Sequence, residues 1–311
     1  MKRTIELLTT GLVDYAGLFP PAKLDMGPAV EAYARHRMGP HAPMLARFVC
    51  PVSRLGDLTA KASMLMPGTF ATSGYREHAD VLDPWRISAI IDGGVDDDVD
   101  RILAFNEHHA IEDRGLAIVD AAEIRAVEPD TIDDTIDGFP ESIRVFYEVP
   151  TDVDVRGYVA ALAGGEACAK IRCGGVKAPM IPTVEAVASF IAACAQAGVT
   201  FKATAGLHHP IRGAYPLTYD PEPERAVMHG YVNVFIASAM ARTLRLDDAA
   251  LHPILACEDL RAFEFTDDSV RFGDLSIDAA QLASARESFA LSYGSCSFDE
   301  PVDDLRAAGL L

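Results

Sequence analysis

The sequence has little positive charge for its size. It contains 27 lysine and arginine residues against 46 aspartate and glutamate residues, so its formal net charge is −19. Protein surfaces that bind nucleic acid or anionic lipid headgroups carry a patch of basic residues, because those ligands are themselves anionic. We therefore expect neither nucleic acid nor a membrane as a partner.

Long apolar runs and cofactor motifs are also lacking. We find no run that approaches the roughly 20 apolar residues needed to cross a bilayer, and no signal-type stretch near the amino terminus. The six cysteines have no CxxC spacing, so neither a disulfide framework nor a zinc knuckle is indicated. No Walker loop or GxGxxG turn points to a nucleotide cofactor. We expect a cytoplasmic protein with reduced thiols.

Short apolar runs alternate with amphipathic helical stretches along the 311 residues. This alternation is typical of a parallel sheet with helical crossovers, and eight such runs favour a closed barrel over an open sheet. The sequence therefore predicts an α/β protein, a single (β/α)8 TIM-barrel domain over residues 1–311. The predicted strands are residues 13–18, 44–51, 86–92, 115–120, 143–149, 167–173, 199–205 and 289–295.

Helices are indicated by apolar residues at steps of three and four. One is predicted to begin after Thr183 and to end before Gly198, another to span residues 224–243, and a short one to span 301–310. Residues 244–280 interrupt the repeat, and alternation around an Asp-Asp-Ser turn predicts a small hairpin insertion there. Such an insertion either covers a barrel end or builds a subunit contact, so a homo-oligomer stays open.

In a barrel of this kind the active site is assembled at the carboxyl ends of the strands. The predicted strands deliver many ionisable or polar groups to that end. These candidates are Asp14 and Tyr15 on the first strand, Asp92, Asp120 and Glu148 on the third to fifth, Lys170 and Arg172 on the sixth, Lys202 with His208 and His209 on and after the seventh, and Ser295 and Cys296 on the eighth.

Two lysines on neighbouring strands are the most informative of these residues, because lysine is almost never buried unless it is paired or functional. An amine beside another cation in a poorly solvated site becomes the neutral nucleophile that forms a Schiff base with a carbonyl. Asp120 and Glu148 would then carry protons. The alternative is that Lys170 and Lys202 point outward between helices or form structural ion pairs.

Three short motifs resemble the deoxyribose-phosphate aldolase-like class I aldolases. Residues 170–174, KIRCG, resemble the sixth-strand KTSTG motif of that family, and residues 202–206, KATAG, resemble its seventh-strand motif. Residues 293–297, YGSCS, are similar to its eighth-strand phosphate-binding turn. The resemblance covers roughly the last 140 residues and implies a TIM barrel with aldolase activity.

The resemblance also implies roles for individual residues. Lys170 would form the Schiff base, Lys202 would favour its neutral form, and Gly294 with Ser295 would cradle a phosphate or carboxylate. Two departures stand out: His208 and His209 occupy the place of a Gly-Gly turn and its arginine, and Arg172 replaces a small hydroxylated residue.

Taken together, the patterns favour a class I aldolase-type lyase that makes or breaks a carbon–carbon bond of a small carbonyl substrate, with or without a phosphate. No cofactor is then required. Tyr15, Asp92, Arg172, Cys296 and the two histidines are expected to contact substrate.

Two alternatives remain open. His208 and His209 with Glu148 would supply nitrogen and oxygen ligands for a divalent metal, which would make the chain a metal-dependent lyase, isomerase or hydrolase. The second alternative is a barrel that binds a small ligand without catalysis, because a fold by itself does not confer activity.

Overall fold

The eight apolar runs form eight parallel strands that close into a barrel, as predicted. In this computed structural model, which describes residues 1–68, 83–126, 128–165 and 167–311, the hydrogen-bonded order is β1-β13-β7-β6-β5-β4-β3-β2. The barrel strands are β1 (Val13–Tyr15), β2 (Leu45–Pro51), β3 (Trp85–Ile90), β4 (Ala117–Arg125), β5 (Arg144–Val149), β6 (Cys168–Arg172), β7 (Phe201–Thr204) and β13 (Ala290–Ser295).

Helices lie between the strands and form the outer layer, which gives a (β/α)8 TIM barrel. Their apolar faces pack against the strands in one large core cluster, and Ala121, Phe146 and Cys168 form a second, small cluster. The helices are α1 (Arg3–Thr9), α2 (Met26–Arg37), α3 (Leu55–Ala62), α4 (Val95–His109), α5 (Asp130–Ile136), α6 (Arg156–Leu162), α7 (Val184–Ala197), α8 (Tyr231–Leu244), α9 (Asp248–Ala256), α10 (Ala279–Ser288) and α11 (Asp299–Ala307).

The α7 helix begins and ends where its sequence predicts. The Thr183 hydroxyl accepts a hydrogen bond from the backbone N–H of Ala186 at 3.2 Å, which caps the amino end. Gly198 ends the helix with φ +73°, a left-handed conformation that favours glycine. Phe190 and Ile191 are fully buried, and burying each side chain stabilises the fold by roughly 1.5–3 kcal/mol.

One stretch of the described residues, Ala178–Ala197, is long and apolar enough by composition to cross a membrane, which the sequence expectation did not include. Its continuous α-helix is α7, which has 14 residues. At 1.5 Å per residue this helix is about 21 Å long, shorter than the roughly 30 Å of a bilayer core. Phe190 packs edge-to-face on Phe201 of the barrel, so this apolar face belongs to the protein core.

The helix predicted over residues 224–243 begins later, at Tyr231. Its expected first turn instead forms β9 (Arg225–Met228), which pairs antiparallel with β8 (Gly213–Pro216). Gly230, which is extended and directly precedes Tyr231, explains the later start, because glycine disfavours the interior of a helix. The loop after β7 therefore carries a hairpin that was not predicted.

The interruption over residues 244–280 is larger than a single hairpin. It contains α9 and a three-stranded antiparallel sheet of β10 (Phe263–Phe265), β11 (Ser269–Phe272) and β12 (Leu275–Asp278). The turn after β10 contacts α1, since the backbone N–H of Arg3 donates to Asp267 Oδ1 at 2.9 Å. The insertion that carries this sheet is thus joined to the amino-terminal helix.

Candidate active site

A cavity of about 430 Å³ opens at the carboxyl ends of the barrel strands. Residues from β2, β3, β4, β5, β6, β7 and β13 line it, which is where a barrel of this class carries its chemistry. One part of its lining is charged, with Glu123, Glu148, Lys170 and Arg172. The apolar part of the lining includes Phe19, Val49, Ile90, Met180, Leu217 and Met228.

Lys170 and Lys202 both point into the barrel rather than outward between helices. They are direct partners in the β6–β7 register, and their exposed fractions are 5% and 1%. Lys170 lines the cavity, whereas Lys202 lies beneath it over the ring of Phe146. The two amines therefore differ in access: a ligand in the cavity meets Lys170 and not Lys202.

The carboxylate of Glu123 joins the two amines. Its Oε2 lies 2.7 Å from Lys170 Nζ, and its Oε1 lies 2.7 Å from Lys202 Nζ and accepts a hydrogen bond from Ser88 Oγ at 2.7 Å. Glu123 is only 2% exposed. One buried carboxylate thus holds both ammonium groups in fixed positions.

Three further charges complete this arrangement. Glu148 Oε2 is 2.7 Å from Lys170 Nζ, and its Oε1 accepts from Arg172 Nε at 3.1 Å. Asp14 Oδ2 is 2.5 Å from Lys202 Nζ. We call the six residues Asp14, Glu123, Glu148, Lys170, Arg172 and Lys202 the lysine–carboxylate network. Its three carboxylates balance its three cations.

Burial and pairing act in opposite directions on the pKa values of this network. Burial alone would raise the pKa of Glu123 and Glu148, but the neighbouring cations outweigh it and hold both pKa values below their usual range. Burial alone would lower the pKa of Lys202, but Asp14 and Glu123 outweigh it and raise that pKa. At neutral pH these three groups are therefore charged.

The network should stabilise the fold within a defined pH window. The lowered pKa values of Glu123 and Glu148 supply stability that is present above pH 4.5 and lost as the pH falls below it. The raised pKa of Lys202 supplies stability that is present below pH 10.5 and lost as the pH rises above it. We expect the unfolding free-energy difference between wild type and Glu123→Gln to narrow below pH 4.5 by about 1.4 kcal/mol per pH unit at most. Urea unfolding from pH 7 to pH 3 measures it, and a constant difference would contradict the expectation.

Glu123 was not among the predicted site residues. The fourth strand was expected to end at Asp120, but β4 continues to Arg125, and its register with β3 shifts between Val119 and Ala121. The shift places Glu123 in the barrel interior. The apolar residues that continue to Ile124 in the sequence were the available signal. Asp14, noted on the first strand without a role, is likewise part of the network.

Asp120 does not lie in the cavity, so its predicted role as a proton carrier is wrong. Its carboxylate pairs with Arg47 at 2.6 Å and with Arg86 toward the amino ends of the strands. Burial opposes ionisation of Asp120, yet the two guanidinium groups hold its pKa below the usual range. Its contacts are those of a structural ion pair.

Substitution of Asp120 should therefore lower the stability of the fold without changing the reactivity of Lys170. We expect Asp120→Asn to lower the melting temperature, because Arg47 is only 12% exposed and would lose its carboxylate partner. Covalent labelling of Lys170 by a carbonyl compound should stay within twofold of wild type. Calorimetry and mass spectrometry of the same preparation measure both, and a tenfold loss of labelling would restore Asp120 to the site.

Two predicted substrate contacts also lie outside the cavity. Asp92 is exposed and accepts hydrogen bonds from Ser53, with its Oδ1 bound to the backbone N–H at 3.0 Å. Tyr15 points to the outer side of β1, where its ring lies 6.3 Å from that of Tyr33, and burial raises its pKa to about 12. Alternation along β1 explains this, since Asp14 takes the inward position.

The eighth barrel strand contributes only part of the predicted anion cradle. Gly294 and Cys296 line the cavity, but Ser295 does not. Ser295 is 2% exposed and pairs with Tyr15 in the β1–β13 register. Burial raises the pKa of the Cys296 thiol, which disfavours the thiolate that a nucleophile would need.

His208 and His209 line the cavity, but each already has a carboxylate partner on α11. His208 Nδ1 is 2.9 Å from Glu300 Oε2, and His209 Nδ1 is 2.6 Å from Asp304 Oδ2. Among the residues that the structure describes, no group of three or more His, Cys, Asp or Glu side chains is placed to hold a metal ion. The alternative metal site of His208, His209 and Glu148 is therefore not formed, because Glu148 engages Lys170 and Arg172.

The unpredicted β8–β9 hairpin covers one side of the cavity. Residues 216–219 and Met228 line it from this hairpin. The Tyr219 hydroxyl donates to Glu300 Oε2 at 3.0 Å and lies 3.6 Å from Cys296 Sγ. The hairpin is thus fastened to α11 and to the end of β13 through one side chain.

Comparisons with known proteins found no relative: no family model, curated protein or solved structure matches the chain.

Proposed function

We propose that this chain is a class I aldolase-type lyase in which Lys170 forms a Schiff base with a small carbonyl substrate. The observation that carries the proposal is the pair of strand lysines bridged by Glu123, of which only Lys170 lines the cavity. The resemblance of residues 170–174 and 202–206 to the deoxyribose-phosphate aldolase-like family supports the same two residues in the same two roles.

The charge balance of the network supports an iminium at Lys170. In the resting state the ammonium of Lys170 lies between Glu123 and Glu148. After the amine attacks the carbonyl carbon and water leaves, the iminium nitrogen carries the same positive charge at the same place. Both states leave the network neutral, so the carboxylates stabilise the intermediate as they stabilise the ammonium.

Formation of the nucleophile requires loss of a proton from Lys170. Glu148 is suited to accept it, because it lies 2.7 Å from the Lys170 amine and lines the cavity. The same carboxyl group can return the proton when the carbinolamine oxygen leaves as water. The iminium then withdraws electrons from the adjacent bond, and a carbon–carbon bond is broken or formed through the enamine.

The lining of the cavity favours a substrate with one polar end. Arg172 uses Nε on Glu148 and is 40% exposed, so the rest of its guanidinium group can bind a carboxylate or phosphate. The apolar side formed by Ile90, Leu217 and Met228 suits a short hydrocarbon portion. The reaction is proposed to take place in the cytoplasm. It needs no cofactor, because the iminium formed on Lys170 is itself the electron sink.

Borohydride trapping tests the proposal. The protein is incubated with a panel of small aldehydes and 2-oxoacids, reduced, digested and analysed by mass spectrometry. We expect a covalent adduct on Lys170 and none in Lys170→Arg. The matched control is Lys177→Arg, because Lys177 is exposed in the loop after β6 and does not line the cavity; it should label as wild type does. Failure of every compound to label Lys170 would refute the proposal and leave a binding barrel as the remaining function.

A further inference from the structure

A second cavity, of about 440 Å³, lies at the opposite end of the barrel. It is lined by residues at the amino ends of β2, β3, β5 and β13. Four arginines line it: Arg37, Arg47, Arg86 and Arg144. Such a concentration of guanidinium groups is unexpected in a chain with a net charge of −19.

Several donors of these arginines are unused. Arg47 and Arg86 each bind Asp120 through Nε and Nη2, which leaves Nη1 of each without a hydrogen bond within the described chain. Arg144 is exposed and forms neither an ion pair nor a side-chain hydrogen bond with any described residue. Arg37 Nε is buried, and no described residue forms a hydrogen bond with it. The cavity therefore has more donors than acceptors.

The charge of the cavity is also incompletely balanced. Among the described residues, Asp120 neutralises one of its two arginine partners, and Asp83 is the acidic residue in the lining. Within this part of the chain, four cations face two carboxylates, which leaves an excess of two positive charges. Arginine forms paired hydrogen bonds with carboxylates and phosphates because its planar donors match their oxygens.

We propose that this arginine-lined cavity binds a small multivalent oxyanion, either a phosphate ester or a polycarboxylate. A dianion balances the excess charge and accepts from Arg144 and from the free Nη1 atoms of Arg47 and Arg86. The volume lies within the range of small-ligand sites.

The site lies directly beneath the lysine–carboxylate network. Ser292 lines the arginine cavity, and its hydroxyl donates to Asp14 Oδ2 at 2.7 Å. The backbone N–H of Arg47 donates to Asp14 Oδ1 at 3.0 Å. An occupant of this cavity thus contacts residues that hold Asp14, the partner of Lys202. The proposed binding does not depend on the aldolase proposal.

Isothermal titration calorimetry tests the site with inorganic phosphate and with citrate, each at an ionic strength matched by sodium chloride. We expect saturable binding of at least one of them to wild type, and at least tenfold weaker binding to Arg144→Gln. Arg144 has no described partner to lose, so this variant should fold, which circular dichroism verifies. Arg261→Gln, at an exposed arginine paired with Asp259 outside the cavity, is the matched control and should bind as wild type does.

The variants also locate the binding. An anion bound in the opposite cavity should be lost in Arg172→Gln, whereas an anion bound in the arginine-lined cavity should be weakened in Arg144→Gln. Binding of phosphate alone would assign a phosphate ester, and binding of citrate alone a polycarboxylate. The proposal is overturned if neither anion binds saturably, if Arg144→Gln binds as tightly as wild type, or if Arg172→Gln abolishes binding.

Discussion

Replacing Glu123 by glutamine is expected to lower the free energy of unfolding by about 3–5 kcal/mol, the usual effect of removing one partner from a buried ion pair. The substitution keeps the shape of the side chain but leaves the network with one excess positive charge. Glutamine has one acceptor oxygen where glutamate has two, so its amide N–H₂ group would face the ammonium of one of the two lysines. Glu123 is bonded to Lys170, Lys202 and Ser88, so the loss falls on three contacts.

Urea unfolding at pH 7 measures this effect. The matched control is Glu185→Gln, because Glu185 is exposed and pairs with His252 at 3.0 Å on the surface, where such pairs contribute little. Its unfolding midpoint should stay at the wild-type value. A change in Glu123→Gln no larger than that of the control would contradict the buried network.

A double variant tests whether the loss of charge balance causes the destabilisation by Glu123→Gln. Lys202→Met leaves the network one charge negative, whereas Glu123→Gln with Lys202→Met restores neutrality. We expect the double variant to be less destabilised than the sum of the two single variants, because neighbours in one network are coupled. Additive losses would show that the charges act independently.

Replacing Lys202 by methionine should shift the pH dependence of adduct formation at Lys170 to higher pH. The raised pKa of Lys202 keeps it cationic, and its removal leaves Glu123 and Asp14 without that charge. The remaining carboxylates then hold the Lys170 proton more strongly. We expect the pH of half-maximal labelling to rise by about one unit or more, with roughly tenfold slower labelling at pH 7.

Rates of borohydride-trapped adduct formation between pH 5 and pH 10 measure the shift. Lys177→Met is the matched control, since it removes the charge of an exposed lysine outside the cavity, and its profile should coincide with that of wild type. A Lys202→Met profile that also coincides with wild type would show that Lys202 has no electrostatic effect on Lys170.

The barrel and its two lysines were predictable because both follow from local patterns. Eight apolar runs with helical crossovers predict a closed sheet. Lys170 and Lys202 were identified because each is a charged residue within a predicted strand, the sixth and the seventh. Glu123 was not predicted, because an aspartate three residues earlier looked like a strand end. Only pairing with β3 reveals the shift in register that places Glu123 inside.

The surroundings of the network were harder to predict because they depend on contacts between distant residues. Residues 216–219 lie in a hairpin whose strands are four residues each, and the sequence over its second strand, β9, was predicted to be helical. Glu300 and Asp304 lie on α11, about 90 residues after the histidines they contact. No local period indicates such pairs, so the histidines were open to assignment as metal ligands.

The cavity is lined both by barrel strands and by the β8–β9 hairpin, and these two parts differ in how well they tolerate amino-acid substitution. The network is held in barrel strands, where any altered side chain disturbs several buried charges. Residues 216–219 belong to a surface loop joined to the barrel through few side chains, and loops tolerate substitution and changes of length. New substrate preferences can therefore arise by remodelling this loop alone, with the lysines and their carboxylates left intact.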